Sequence, residues 1–153
     1  MVSQALFSSD STEWETPETL YRQLNQEFSF DIDVCASDKN SKHYYYISAE
    51  QDALRQAWNQ MARVCWMNPP YGRKIGDWIQ KAWEESQKGC TIVCLLPART
   101  DTKYFHQFIW NKDKHKPKKG VELRFLAGRL KFGGSKNSAP FPSMIVIFRP
   151  VVE

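Results

Sequence analysis

The stretch ARVCWMNPPYG, at residues 62–72, is an apolar run that two prolines end abruptly. A strand that is apolar along its whole length is typical of a sheet buried on both faces, because neither face meets water. Proline fixes its own backbone angle and donates no hydrogen bond, so the strand must end before Pro69. The stretch therefore predicts a buried strand, followed at once by a rigid turn that begins at Asn68.

On both sides of this stretch, strand-like patterns alternate with helix-like ones. Further strands are predicted at 28–37, 43–48 and 91–98, with two or three closing strands in 121–134 and 142–150. Helices are predicted to open at Thr16-Pro17, to follow Asp52, to run from Ile75 to a stop at Gly89, and to carry 104–109. This order predicts an α/β domain at residues 14–153 after a flexible arm at 1–13, with a mostly parallel sheet and helices on both faces.

Two unusual tetrads fall at predicted strand ends, namely DVCA at 33–36 and NPPY at 68–71. In open α/β sheets, ligands bind at the carboxyl ends of the strands. We therefore expect both tetrads to border the functional site.

The composition is that of an ordinary globular chain, with 42% hydrophobic and 25% charged residues in a length of 153. The four cysteines, at 35, 65, 90 and 94, include no pair with the C-x-x-C spacing of a zinc site. The first residues do not resemble a signal peptide, and no apolar stretch approaches membrane-spanning length. A cytoplasmic protein with reduced thiols, no metal and no membrane segment is predicted, whereas the oligomeric state stays open.

Charge is distributed unevenly along the chain. Residues 1–60 hold ten acidic and four basic side chains, whereas 111–136 hold nine Lys or Arg against Asp113 and Glu122. Five of the lysines lie in a predicted basic loop at 111–120. Such a segment either contacts a polyanion such as nucleic acid or is a solvated connection, and the sequence alone leaves both open.

The NPPY tetrad also has two interpretations. One is a polar cap and a proline turn that end a strand. The other is a site that accepts both N–H groups of an adenine N6 amine, through the Asn68 side-chain carbonyl and the Pro69 backbone carbonyl. Such acceptance frees the nitrogen lone pair for attack on a methyl group. Pro69 and Pro70 would hold the acceptors rigidly, and Tyr71 would offer a flat face to an extruded base.

Several blocks of the sequence resemble the short phage and prophage DNA N6-adenine methyltransferases of the Dam type. The blocks span nearly the whole chain: W-x-TP at 14–17, EFSFDIDVCAS at 27–37, NPPYG at 68–72, LLPARTDTKYFH at 95–106, GRLKFGG at 128–134 and SAPFPSM at 138–144. The resemblance implies a single-domain, Rossmann-like fold, S-adenosyl-L-methionine as the cofactor and double-stranded DNA as the substrate. It implies a site-specific adenine methyltransferase, often acting at GATC, of the kind found in restriction-modification.

The resemblance also implies roles for individual residues. The catalytic set is Asn68, Pro69, Pro70 and Tyr71. The cofactor set is Thr16, Pro17, Asp33, Cys35, Ala36, Asp52 and Asn68. A glycine-rich G-x-G loop does not follow the first strand, so Asp33 is expected to carry much of the cofactor recognition. Asp52 is equally well explained as a plain helix N-cap.

The DNA-contacting set implied in the same way is Tyr71, Arg99, Lys116, Lys118, Lys119, Arg129, Lys131 and Phe132. Phe132 has a competing interpretation as a core residue of a strand. Two other functions also stay open. The same tetrad serves methyltransferases of RNA adenine and of protein glutamine amides, and a catalytically silent DNA-binding protein would carry the same basic segment.

Overall fold

The computed structural model describes residues 14–36, 40–48, 51–133 and 137–151, so the predicted arm at 1–13 lies outside the described residues. The described helices are α1 (Glu18–Phe28), α2 (Trp58–Met61) and α3 (Ile75–Gln87), with a 3-10 helix at Ala53–Arg55 and a π-helical turn at Phe105–Ile109. The described strands are β1 (Ile32–Asp33), β2 (Val64–Met67), β3 (Thr91–Pro97), β4 (Trp110–Asn111), β5 (Lys116–Pro117), β6 (Val121–Phe125) and β7 (Ser143–Phe148).

Five of these strands form one sheet, in the order β1-β2-β3-β7-β6. Strands β1, β2 and β3 pair in parallel, whereas β7 pairs antiparallel with both β3 and β6. The predicted α/β class is confirmed, and the sheet is mixed where a mostly parallel one was expected. The reason is that β6 ends and β7 begins at the same sheet edge, Phe125 lying opposite Met144, so the chain returns without a crossover.

The two strands predicted from continuously apolar runs are confirmed as β2 and β3, and they form the centre of the sheet with β7. All six residues of β7 and the last six of β3 are buried. Tyr21 of α1 packs edge-on against Trp66 of β2, with ring centroids 5.6 Å apart. Helix α3 packs on β3 and β7. This packing fixes the carboxyl end of β2, where NPPY begins.

Several local predictions are wrong. Residues 43–48 form only a single bridge, between Tyr46 and Asp33, and Tyr44 and Tyr45 are 81% and 66% exposed. Among the described strands β1 is the last of the sheet on this side, so no described strand covers these aromatic side chains. The helix predicted after Asp52 is broken into the 3-10 helix and α2, because Gln56 and Ala57 are extended.

Two further segments also differ from expectation. The GRLKFGG block forms no strand in its described residues and makes one bridge, between Gly133 and Glu15. The basic segment is not an open loop, because β4 and β5 pair as a short antiparallel hairpin. Among the described helices, none is long and apolar enough to cross a membrane.

Candidate active site

A cleft of about 630 Å³ lies at the carboxyl ends of β1 and β2. The following predicted site residues line it: Thr16, Asp33, Cys35, Ala36, Asp52, Asn68, Pro69 and Pro70. Pro17 and Tyr71 are not part of the lining. Both tetrads therefore border one cleft, because parallel neighbouring strands end at the same sheet edge, and the prediction that this cleft is the functional site stays a prediction.

The Asn68 amide is held in one orientation from the side opposite its carbonyl. Its Nδ2 donates to the Trp14 backbone carbonyl and, at 2.9 Å, to Thr16 Oγ1. The Trp14 backbone carbonyl can only accept a hydrogen bond, so it must face Asn68 Nδ2. Asn68 Oδ1 therefore lies on the opposite side of the amide group. Asn68 Oδ1 is buried and accepts no hydrogen bond from the described residues. A buried, oriented acceptor without a donor has unused hydrogen-bonding capacity, which a ligand N–H group can satisfy once neighbouring side chains move aside.

Asp33 is a buried carboxyl group, 2% exposed, that organises the loop after β1. Its Oδ1 accepts from the Cys35 N–H at 3.1 Å and its Oδ2 from the Lys42 N–H at 3.0 Å. Burial raises the pKa of Asp33 to about 6, although the two backbone hydrogen bonds and the Lys42 charge oppose the shift. Each carboxylate oxygen still has a second lone pair with which to meet a ligand.

The other charged residues that line the cleft are exposed or lie in salt bridges. Asp52 has φ of 51°, makes no side-chain cap hydrogen bond and lies 3.3 Å from Arg55. It therefore occupies the N-cap position of the 3-10 helix without capping it. Lys42 lies 3.1 Å from Glu18 and 3.6 Å from Glu15. Sequence reasoning missed Lys42, which no motif marks.

Tyr71 is buried, and its hydroxyl donates to the Leu95 carbonyl at 2.8 Å. Its ring belongs to an aromatic cluster with Trp14, Phe132 and Phe141, in which centroids of contacting rings lie 5.2–6.3 Å apart. Phe132 is 2% exposed, which agrees with its interpretation as a core residue. Stacking of a base on Tyr71 stays a prediction and requires this cluster to open.

Sequence reasoning missed Trp14 and Phe141, although both stand in conspicuous blocks, W-x-TP and SAPFPSM. Trp14 supplies the backbone carbonyl that orients Asn68. Phe141 lies under the Arg99 guanidinium, with 5.7 Å between them. The positions of Trp14 and Phe141 in the chain, relative to NPPY, do not predict these contacts.

The predicted DNA-contacting residues divide between the two edges of the sheet. Arg99 follows β3 at the carboxyl edge, and the exposed Arg129 and Lys131 follow β6 at the same edge. We call β4, β5 and their turn the lysine hairpin. It leads into Val121, the first residue of β6. Val121 pairs with Phe148 of β7, and Phe148 also pairs with Ile92 near the start of β3, so the hairpin lies at the amino edge of β3. The three predicted lysines, Lys116, Lys118 and Lys119, therefore lie at the amino edge, away from NPPY.

Comparisons with known proteins converge on one family. The model of the family described as DNA N-6-adenine-methyltransferase (Dam) matches residues 4–153. A relative described as DNA N-6-adenine-methyltransferase, from Haemophilus phage HP1 (strain HP1c1), is 29% identical over 144 residues, which cover 93% of this chain and 81% of the relative. Among the described residues, no three His, Cys, Asp or Glu side chains are grouped so that they could hold a metal ion.

Proposed function

This chain belongs to the DNA N-6-adenine-methyltransferase family, and on that premise we propose that it methylates adenine N6 in the cleft beside Asn68. Membership makes the protein an enzyme that acts on adenine in DNA, which was one of several functions that the tetrad left open. We take the fold as a Rossmann-like methyltransferase fold with a mixed sheet. The three parallel strands with a cleft at their carboxyl ends support this assignment.

The lining of the cleft fits S-adenosyl-L-methionine as the methyl donor. Its volume of about 630 Å³ is that of a typical small-molecule site. Asp33 supplies a buried carboxylate for a cationic ligand, whereas Ile47, Ala53 and Leu54 supply an apolar wall for a flat ring. When bound, S-adenosyl-L-methionine supplies a methyl group on a sulfonium, whose C–S bond breaks as the bond to N6 forms.

The residues of the chain prepare the amine for that transfer. Asn68 Oδ1 accepts one N–H of the adenine amine, and the Pro69 carbonyl accepts the other. With both N–H groups directed to acceptors, the lone pair is withdrawn from the ring and is free to attack. The nitrogen then loses one proton to water. The fixed orientation of Asn68 lowers the entropic cost of reaching this geometry.

The unpartnered Asn68 Oδ1 is the observation that carries this proposal. We expect Asn68→Ala to abolish methylation of adenine-containing duplex DNA, while the dissociation constant of S-adenosyl-L-methionine stays within a few-fold of wild type. The acceptor acts mainly in the transition state, so its loss lowers kcat more than binding. Asn59→Ala, on the exposed face of α2, is the matched control and should methylate normally.

Methyl transfer is measured on the same duplex, on an RNA of the same sequence and on a glutamine-containing peptide. Label in the duplex alone supports DNA as the substrate. An Asn68→Ala enzyme that methylates DNA at the wild-type rate would overturn the assignment of the site.

A further inference from the structure

A second depression, of about 490 Å³, lies on the other side of the loop that carries the tetrad. We call it the basic groove. Its walls are the start of α3 and the segment after β3, and its charged lining residues are Arg73, Asp77, Arg99 and Lys103. The two cavities share one loop as a wall: Pro69, Pro70 and Lys74 line the cleft, whereas Gly72 and Arg73 line the groove.

The two cavities differ in charge. The cleft carries Glu15, Asp33 and Asp52 against two lysines, whereas the groove carries three cations against the single carboxylate of Asp77. A concave surface with an excess of one sign concentrates ligands of the opposite sign. The cleft is therefore suited to a cationic cofactor and the groove to a polyanion.

The cations of the groove, Arg73, Arg99 and Lys103, are also exposed, and none of them forms a salt bridge with a carboxylate of the described residues. By contrast, Arg124 and Arg149 each lie within 2.6 Å of a carboxylate. The groove therefore offers its charge to an external anion.

Contacts of Arg99 connect the groove to the tetrad. The Arg99 guanidinium lies over the Phe141 ring at 5.7 Å, and the Phe141 ring lies 5.7 Å from that of Tyr71. Arg73 is only two residues beyond Tyr71 in the chain. An anion in the groove would therefore lie close to a base held at Asn68.

We infer that the basic groove binds the sugar-phosphate backbone of the DNA strand whose adenine enters the cleft. The inference rests on the proposed function, because it needs the target base at Asn68. Phosphate contacts orient a duplex without reading its sequence. The lysine hairpin, at the opposite edge of the sheet, is the rival for this role.

The test is the salt dependence of duplex binding by the double variant Arg73→Gln with Lys103→Gln. Each neutralised phosphate releases counterions, so the slope of log affinity against log salt should fall by roughly 1.8 for two lost contacts, about 0.9 each. Affinity should fall alike for duplexes with and without adenine targets, and KM for DNA should rise more than kcat falls. The matched control, Arg22→Gln with Arg63→Gln, removes two exposed charges elsewhere and should keep the wild-type slope.

A double variant of the groove that binds duplex with the wild-type affinity and slope would overturn the inference. So would a slope that falls only when Lys116, Lys118 and Lys119, the predicted DNA contacts at the hairpin, are changed to Gln. These outcomes are independent of the Asn68 test, because binding is measured without methyl transfer. Normal methylation by Asn68→Ala would remove the assigned reaction site and, with it, the placement of the target base on which the inference rests.

Discussion

Thr16 and Asn68 are 52 positions apart, yet the threonine hydroxyl accepts a hydrogen bond from the asparagine amide at 2.9 Å. Thr16 is 3% exposed, so water does not replace this contact when it is lost. The sequence suggested a cofactor contact for Thr16, whereas the geometry gives it a second task, the orientation of Asn68. A residue that acts through another in this way is a positioning residue.

We expect Thr16→Val to lower kcat by about two- to tenfold, since one neutral hydrogen bond contributes roughly 0.5–1.5 kcal/mol. Thr16→Ser keeps the hydroxyl and should restore turnover. Steady-state kinetics with duplex DNA, together with calorimetry of S-adenosyl-L-methionine, distinguish the two roles. A Val variant that binds the cofactor weakly but turns over at the normal rate would place Thr16 in cofactor binding alone.

Asp33 gives the site a pH dependence. Its pKa is raised to about 6 by burial, so the carboxylate becomes protonated as the pH falls from 7 to 5. The raised pKa means that the folded state favours the protonated carboxyl, and the folded chain therefore loses stability as the pH rises from about 4 to about 6. For a cationic ligand, only the ionised form supplies charge attraction.

We therefore expect the dissociation constant of S-adenosyl-L-methionine to rise as the pH falls through about 6, by up to about tenfold per pH unit below it. The α-amino and α-carboxyl groups of the cofactor have ordinary pKa values near 8 and 3.5, so they do not titrate near pH 6. Calorimetry from pH 5 to 7.5 measures the effect, and Asp33→Asn should flatten it. If wild type and Asp33→Asn show the same pH profile, Asp33 serves only to hold the loop after β1.

At the scale of elements, the turn between the lysine hairpin and β6 depends on Gly120. Its φ is 81°, and a Cβ there would lie 2.8 Å from both the Arg149 carbonyl oxygen and Val151 Cγ2. Its own carbonyl accepts the Arg149 N–H at 2.8 Å. The left-handed backbone and the close approach of another strand end both require glycine.

Gly120→Ala should lower the free energy of unfolding by about 1–3 kcal/mol more than Gly128→Ala, because both positions carry the backbone strain and only Gly120 adds a steric clash. Gly128 also has positive φ, 71°, but nothing lies within 4 Å of a Cβ there. Urea unfolding of both variants measures the difference. An equal loss of unfolding free energy in both variants would mean that the residues after β7 move aside for the methyl group without a large energetic penalty.

At the scale of the whole molecule, one arginine joins helix α1 to the far edge of the sheet. Arg124 of β6 donates to both oxygens of Glu27 in α1, at 2.7 and 2.6 Å, and its Nε donates to Glu122. The guanidinium lies 5.5 Å over Phe28. Residues 97 positions apart are thereby held together.

Hydrogen bonds from Arg124 hold the pKa of Glu27 and of Glu122 below the ordinary value. Lowered carboxyl pKa values stabilise the fold above the unfolded pKa, about 4.3, and this stability is lost as the pH falls through the folded values. Arg124→Met should therefore lower the free energy of unfolding at pH 7 by roughly 1 kcal/mol or less, since these pairs are partly exposed. The difference should shrink below about pH 4. Urea unfolding at pH 7 and below about pH 4 measures the loss of stability, with Arg22→Met as the control. A loss that is the same at both pH values would refute this prediction.

The sequence by itself determined the features that short-range patterns encode. The continuously apolar runs specified β2 and β3, and Pro69 specified where β2 ends. The position of NPPY and DVCA after neighbouring strands placed both at one cleft. The strands and the end of β2 follow from residues within one element, and the shared edge follows because parallel strands of one sheet end on the same side.

Only the tertiary structure decided the direction of β7, the orientation of Asn68, the burial of Tyr71 and the placing of the lysine hairpin at the far edge. An apolar run such as Ser143–Phe148 can pair with a parallel or an antiparallel strand equally well. The direction of β7 is therefore set by the path along which the chain returns from β6. The Asn68 amide likewise takes its orientation from Trp14 and Thr16, which are more than 50 positions away. Partners that meet only when the sheet is assembled leave no period or spacing in the sequence.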